Sequence, residues 1–181
     1  MTLPYWNAVR SPHWDSIARG AVVGWRGTHS RAHMYRSILE SIGLEMRYNL
    51  DSIEAGTGVK LTGLRAMGGG TRSLLWRQIM ADTTALPITV CTQDEISALG
   101  AAVLAMASTG IYGEHDVAAT AKKMAQYGET IEPNMEKHEQ YCDVAKVQRK
   151  LYTKLKDVFE DLYELSRKAP STKPELPKAE L

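Results

Sequence analysis

An α/β layer with parallel pairing is the fold class this sequence predicts. Three observations carry it. Short apolar or β-branched runs alternate with longer runs of helical period, the connections are brief and marked by glycine or proline, and the pattern strand, helix repeats three times before about residue 110.

The elements follow in order. Residues 1–19 hold Pro4, Pro12, Tyr5, Trp6 and Trp14 without helical or alternating pattern, which reads as an irregular entry segment that must pack on something. Ala21-Val22-Val23-Gly24-Trp25 is short, apolar and bounded by glycines, and predicts the first strand. From Ser30 to Glu54 the apolar residues Met34, Ile38, Ile42, Met46, Leu50 and Ile53 recur at helical spacing, with Thr28 or Ser30 available as N-cap and Gly56 and Gly58 as the stop. Lys60 to Met67 predicts a second strand, Leu74 to Asp82 a helix, and Ile88 to Cys91 a third, β-branched strand after Pro87. Asp94 to Ala107 is apolar on nearly every side, the pattern of a buried helix.

Three strands are few for a stable sheet, and the preferred explanation is that the chain is part of a larger domain. Beyond Gly110 the reading turns helical, with helices over 115–127 and about 136–167, the second carrying a one-sided stripe through Tyr141, Val144, Ala145, Leu151, Leu155, Val158, Phe159 and Leu162. The resulting division is 1–19 entry segment, 20–110 α/β core, 111–168 helical extension and 169–181 disordered tail, the last from its three prolines and lack of anything to bury.

Bulk properties narrow the function. The chain has 181 residues, 44% hydrophobic and 24% charged, and 22 basic against 21 acidic residues leave a net charge of +1. Neither nucleic acid nor a membrane surface is signalled as a partner. Cys91 and Cys142 support neither a zinc site nor a disulfide framework, and with no leader-like or membrane-spanning run the expectation is a reducing, cytoplasmic setting.

Among candidate sites, the stretch "MGGGTRSLLWRQ" at 67–78 places Gly68, Gly69 and Gly70 between a strand and a helix. In that geometry, free backbone N–H groups and the positive end of a helix dipole converge on an anion, and the lack of Cβ atoms admits a phosphate or ribose. Neither common nucleotide fingerprint is present, so a nucleotide contact and a structural turn both remain open. Ser73 either caps the helix or bonds a ligand. His29 and His33, one helical turn apart, lack a third metal ligand, and His13 with Asp15 reads as a turn rather than a catalytic pair. Asp82 reads as a helix cap or ion-pair partner. The arginines Arg26, Arg31, Arg36 and Arg47, interleaved with Glu40 and Glu45, read as an ion-paired face. The small-residue run Ala98 to Ala102 allows close packing on the sheet or contact with a flat ligand such as an adenine.

Taken together, residues 11–53, 67–90 ("MGGGTRSLLWRQIMADTTALPITV") and 94–105 ("DEISALGAAVLA") resemble the C-terminal domain of the FGGY carbohydrate kinases, with the likeness running over about residues 3–165. The entry "SPHWDSIARG", the glycine loop and "EPNMEKHEQY" are similar to xylulokinase-type members, although Trp25 occupies a position usually aliphatic. The resemblance implies the C-terminal lobe of an actin-like ATPase, a ribonuclease-H-like fold incomplete at its N-terminus, with a helical C-terminal extension. It implies ATP or ADP along Gly68, Gly69 and Gly70 with Ser73 nearby, and Mg2+ in the complete kinase but not on this chain's own side chains. It also implies that the catalytic aspartate and most sugar contacts precede the matched region. No catalytic residue is therefore assigned, and phosphorylation of a sugar hydroxyl is expected only in combination with an N-terminal lobe, supplied by a partner chain. A homo-oligomer is a separate expectation, because an exposed sheet edge and apolar surface need covering. A non-catalytic nucleotide-binding or protein-interaction module is the alternative.

Overall fold

The computed structural model describes residues 1–93, 95–112 and 115–168. Its strands are β1 (Thr2–Leu3), β2 (Ala21–Val22), β3 (Leu64–Ala66), β4 (Ile88–Cys91) and β5 (Tyr127–Ile131). Its helices are α1 (Arg31–Thr57), α2 (Leu74–Thr84), α3 (Ile96–Thr109), α4 (Val117–Met124) and α5 (Met135–Lys168), with a 3-10 turn at Gly69–Arg72.

α1 starts at Ser30, whose N–H donates to His33 Nδ1 at 3.1 Å while its Oγ lies 2.9 Å from the same nitrogen. His33 thus closes the helix start on its own N-cap, the reciprocal bond of a capping box. Gly58 ends the helix in the left-handed conformation, φ 71°, its N–H on the Glu54 carbonyl.

The main sheet has the order β3-β4-β5. β3 and β4 are parallel, with Leu64 opposite Ile88 and Ala66 opposite Val90, as the alternation of strands and helices predicts. Two strand expectations are corrected. The run at 21–25 is a strand only over Ala21–Val22, and it pairs antiparallel with β1 instead of joining the main sheet. The entry segment is therefore not wholly irregular. β5 lies where a helix end and a connection were expected, and it pairs antiparallel with β4, so the segment after Gly110 is not purely helical. Its sequence hides it, because four of its five residues are exposed and only Ile131 is buried. Pairing comes from the backbone, from the Thr89–Thr130 hydroxyl contact at 2.8 Å, and from Gly128, where a Cβ would stand 2.7 Å from Thr92 Cγ2.

The burial expected for α3 is also corrected. Only Val103 and Ala107 are buried, and Leu104 is 60% exposed. α3 packs on α4, with Ile96, Leu99 and Met106 half-buried and Leu104 left exposed. Apolar composition predicts that a helix wants cover but says nothing about which chain segment provides it. The tail expected at 169–181, like Asp94, lies outside the described residues.

Two hydrophobic clusters form the core. Met80, Ala81, Ile88, Val90 and Ile131 join α2 to the sheet, with Trp76 and Met46 packed against them. Leu3, Tyr5, Val9 and Ala18 of the entry segment are buried with Tyr152 and Phe159 of α5. The long helix therefore clamps the N-terminal hairpin by a face that includes Tyr152 and Phe159, the buried Gln148 reaches Ser41 and Glu45 of α1, and Val158 and Leu162 of the expected stripe remain about half exposed.

Candidate functional site

The glycine triplet lies at the C-terminal end of β3, beside the C-terminal end of its parallel neighbour β4. In open α/β sheets this end of adjacent parallel strands is where ligands find room. Gly68 adopts φ 90° and ψ 178°, a conformation essentially restricted to glycine, and turns the chain out of the strand. Its carbonyl accepts from the Thr71 N–H at 3.1 Å and from Thr71 Oγ1 at 2.7 Å, which winds residues 69–72 into the 3-10 turn. Ser73 then starts α2, its Oγ accepting the Trp76 N–H at 3.3 Å.

The four residues singled out in sequence have different surroundings. Gly68 and Gly69, together with Thr71 and Arg72, face Val90, Cys91, Thr92 and Gln93 across a cleft of about 220 Å³. A Cβ on Gly69 would meet no atom within 4 Å. Gly70 instead borders a hollow of about 380 Å³ lined by Met46, Leu64, Ala66, Met67 and Trp76. There a Cβ would stand 2.0 Å from Trp76 Cζ3, so glycine at this position is what lets the indole lie against the turn. Ser73 lines neither cavity and acts as the helix cap.

The far wall of the cleft is fixed by Gln93. Its Nε2 donates to the Met124 carbonyl at 2.8 Å and its Oε1 accepts the Gln126 N–H at 2.9 Å. Thr71, Arg72, Thr92 and Gln93 were not singled out in sequence. The signal that finds them is topological, since parallel pairing of β3 and β4 brings the two strand ends together.

Other polar candidates are tied into the scaffold. Asp82 is 2% exposed, and its Oδ1 accepts from Gln78 Nε2 at 2.7 Å and from the Asn134 N–H at 2.8 Å, joining α2 to the start of α5. Asp15 Oδ1 accepts the N–H groups of Ile17 and Ala18, and its Oδ2 accepts the Tyr152 hydroxyl at 2.8 Å. Burial works to raise the Asp15 carboxyl, but these hydrogen bonds outweigh it and hold the group below its ordinary value. Tyr152 is correspondingly pushed up to about 12, by burial first and then by its bond to Asp15. His13 stacks on the Tyr152 ring at 3.9 Å. His29 Nδ1 accepts the Arg26 N–H at 2.8 Å. Among the described residues no cluster of three His, Cys, Asp or Glu is arranged to hold a metal, and no helix is long and apolar enough to cross a membrane.

Residues 1–109 match the family model described as the C-terminal domain of the FGGY family of carbohydrate kinases. The chain belongs to this family. A glycerol kinase of Nitratidesulfovibrio vulgaris (strain DP4) is 40% identical over 133 residues, covering 74% of this chain and 26% of the relative. The crystal structure of xylulose kinase from Rhodospirillum rubrum superposes with a TM-score of 0.72 at 29% identity, over 88% of this chain and 31% of that one. The structure of Plasmodium falciparum glycerol kinase with ADP gives a TM-score of 0.67 at 25% identity, over 82% and 30% of the two chains. The FGGY chain therefore shares the mixed helix and sheet architecture of these kinases while spanning about a quarter to a third of their length. The likeness to xylulokinase-type members extends at higher identity to a glycerol kinase.

Proposed function

We propose that this FGGY chain is the nucleotide-holding C-terminal lobe of an actin-like, ATP-dependent kinase for a sugar or polyol, phosphorylating a hydroxyl only when an N-terminal lobe completes the site. The observation that carries this reading is the cleft at the ends of β3 and β4, where Gly68 and Gly69 present main chain without Cβ atoms. That surface fits the phosphates or ribose of ATP or ADP, with Thr71, Thr92 and Gln93 as polar lining. Gly70 and Ser73 serve the same site indirectly, the first by seating Trp76 and the second by starting α2. Magnesium, when bound with the nucleotide, neutralises charge on the phosphoryl group being transferred, and its protein contacts belong to the completing lobe. This chain's part is to bind and orient the nucleotide, and no catalytic residue is assigned within it.

Calorimetric titration with ADP tests the reading. Binding in the millimolar range or tighter, abolished by Gly69→Asp while the fold is kept, is the expected result. A carboxylate there repels phosphate and fills the space the cleft leaves open. Absence of binding by the parent chain removes the nucleotide site. ATP-dependent phosphorylation of glycerol and of xylulose by the chain alone is expected at background, and robust turnover would refute the claim that the catalytic group lies elsewhere.

A second reading, a protein-interaction module built on the kinase lobe, is favoured by one observation. Leu74 and Leu104 are 68% and 60% exposed, surface that a partner would cover. Light scattering distinguishes a homo-oligomer from a monomer that awaits another chain.

A further inference from the structure

Where α1, α2 and α5 meet, a cavity of about 250 Å³ is lined by Arg47, Asp51, His138, Cys142, Lys146 and Arg149 among others. None of these residues lines the glycine cleft, and the kinase reading uses none of them.

His138 Nδ1 lies 2.9 Å from the carbonyl oxygen of Asp82. A carbonyl only accepts, so Nδ1 carries the hydrogen and the lone pair of the neutral imidazole is left on Nε2. That nitrogen is 3.3 Å from Cys142 Sγ, one turn further along α5. The thiol therefore faces an acceptor whose orientation is fixed from the other side of the ring, and Cys142 is exposed. Cys91 differs on both counts, being buried and donating to Gln93 Oε1 at 3.4 Å. The cavity wall is cationic. Arg47 and Arg149 share the single carboxylate of Asp51 at 2.7 and 2.6 Å, and Lys146, paired with Asp143 at 2.8 Å, adds a third positive group.

We propose that Cys142 is a thiol–disulfide exchange site for small disulfides that carry carboxylates. As the Cys142 sulfur attacks the near sulfur of the disulfide, its proton passes to His138 Nε2, the incoming S–S bond breaks, and the departing thiolate takes the proton back from the imidazolium. Cys142 is oxidised to the mixed disulfide, and the leaving sulfur is reduced to a thiol. Arg149, Arg47 and Lys146 hold the carboxylates while the exchange proceeds. This inference stands independently of the nucleotide reading.

Intact-mass spectrometry of the full chain with oxidised glutathione, followed by peptide mapping, tests it. The expected product is one mixed disulfide on Cys142 and none on Cys91. The rate with oxidised glutathione is expected to exceed that with cystamine, a cationic disulfide, by about tenfold at low salt, and the ratio to shrink in Lys146→Glu. His138→Asn keeps a donor for the Asp82 carbonyl and removes Nε2, so it should leave the circular dichroism spectrum unchanged and slow exchange about tenfold. Equal rates for the two disulfides in the parent chain overturn the proposal. So does an unchanged rate in folded His138→Asn, and if that variant fails to fold, the comparison of disulfides and the exposed Lys146→Glu variant decide the matter.

Discussion

At the glycine cleft the chain is shaped by its own backbone. Gly68 turns, Thr71 closes the turn, and the surface that results is exposed with no side chain crossing it from Gly69. At the junction of α1, α2 and α5 the reverse holds, and side chains from distant parts of the sequence are bonded to one another. Tyr141 joins Arg36 and Glu40 at 3.1 and 3.0 Å, Asp51 joins Arg47 to Arg149, and Asp82 joins Gln78 to the backbone of Asn134. Tyr152 reaches Asp15 across 137 residues of sequence, and Tyr5 reaches Glu45. The difference separates two tasks. A site for a ligand is left open by keeping side chains out of it, whereas the helices are held to one another by bonds between their side chains.

The strongest way to break this division is to cut the clamp. Phe159 is 2% exposed and packs in the cluster with Leu3, Tyr5 and Val9. Phe159→Ala should lower the unfolding free energy by about 4 kcal/mol, through lost transfer energy and the cavity left behind. Urea denaturation is expected to show a lower midpoint. Folded variant, measured at low temperature, should bind ADP as the parent does, because no residue of that cluster lines the glycine cleft. Lost affinity in folded Phe159→Ala would show that the two regions are coupled.

The same contrast governs what was legible in the sequence. α1, α2 and α5 announced themselves through helical period and β4 through its β-branched run after Pro87, although α1 buries Leu39, Ser41, Gly43 and Leu44 while Ile42 and Ile53 of the expected stripe are exposed. β5 did not, since a strand exposed at four positions has no alternation to read, and it is specified by the backbone of β4. The exposed surface of α3 was misjudged because its composition reports a need for cover and not its presence. In the cleft, the glycines at 68–70 could be found from sequence as a group, yet their division into an opening at Gly69 and a seat for Trp76 at Gly70 depends on a ring six residues further along. His138 was passed over although it stands four residues before Cys142, because its meaning depends on the Asp82 carbonyl, which folding brings to it from α2.

The glycines themselves allow a finer test. Gly70→Ala must displace the Trp76 ring, whose Nε1 is buried, and should cost about 2 kcal/mol of stability by overpacking. Gly69→Ala adds a methyl into open space and should change stability by less than about 0.5 kcal/mol. Thermal or urea unfolding of the two variants side by side checks the order. If both cost the same, the turn is sensitive to glycine replacement in general, and the distinction between an open and a packed glycine is wrong.

The smallest expected effect concerns pH at the clamp. Burial pushes the Glu45 carboxyl above its ordinary value, against the lowering effects of the Tyr5 hydrogen bond and the Arg149 charge. The folded chain therefore favours neutral Glu45, so the contribution of this residue to stability is fully present below the unfolded value, about 4.3, and is lost as pH rises through the folded value. Asp15 has the opposite sign. Its folded value is lowered, so its contribution is present above the unfolded value, about 3.9, and is lost as pH falls through the folded value. Glu45→Gln keeps a carbonyl to accept the Tyr5 hydroxyl and removes the buried charge. Urea midpoints should place this variant above the parent at pH 7, with the gap closing as pH is lowered toward 4. Tyr152→Phe, which removes the hydrogen bond to Asp15, should flatten the parent's loss of stability below pH 4. A gap for Glu45→Gln that stays constant across this range would mean that Glu45 is not held against ionisation, and that the clamp draws nothing from burying it.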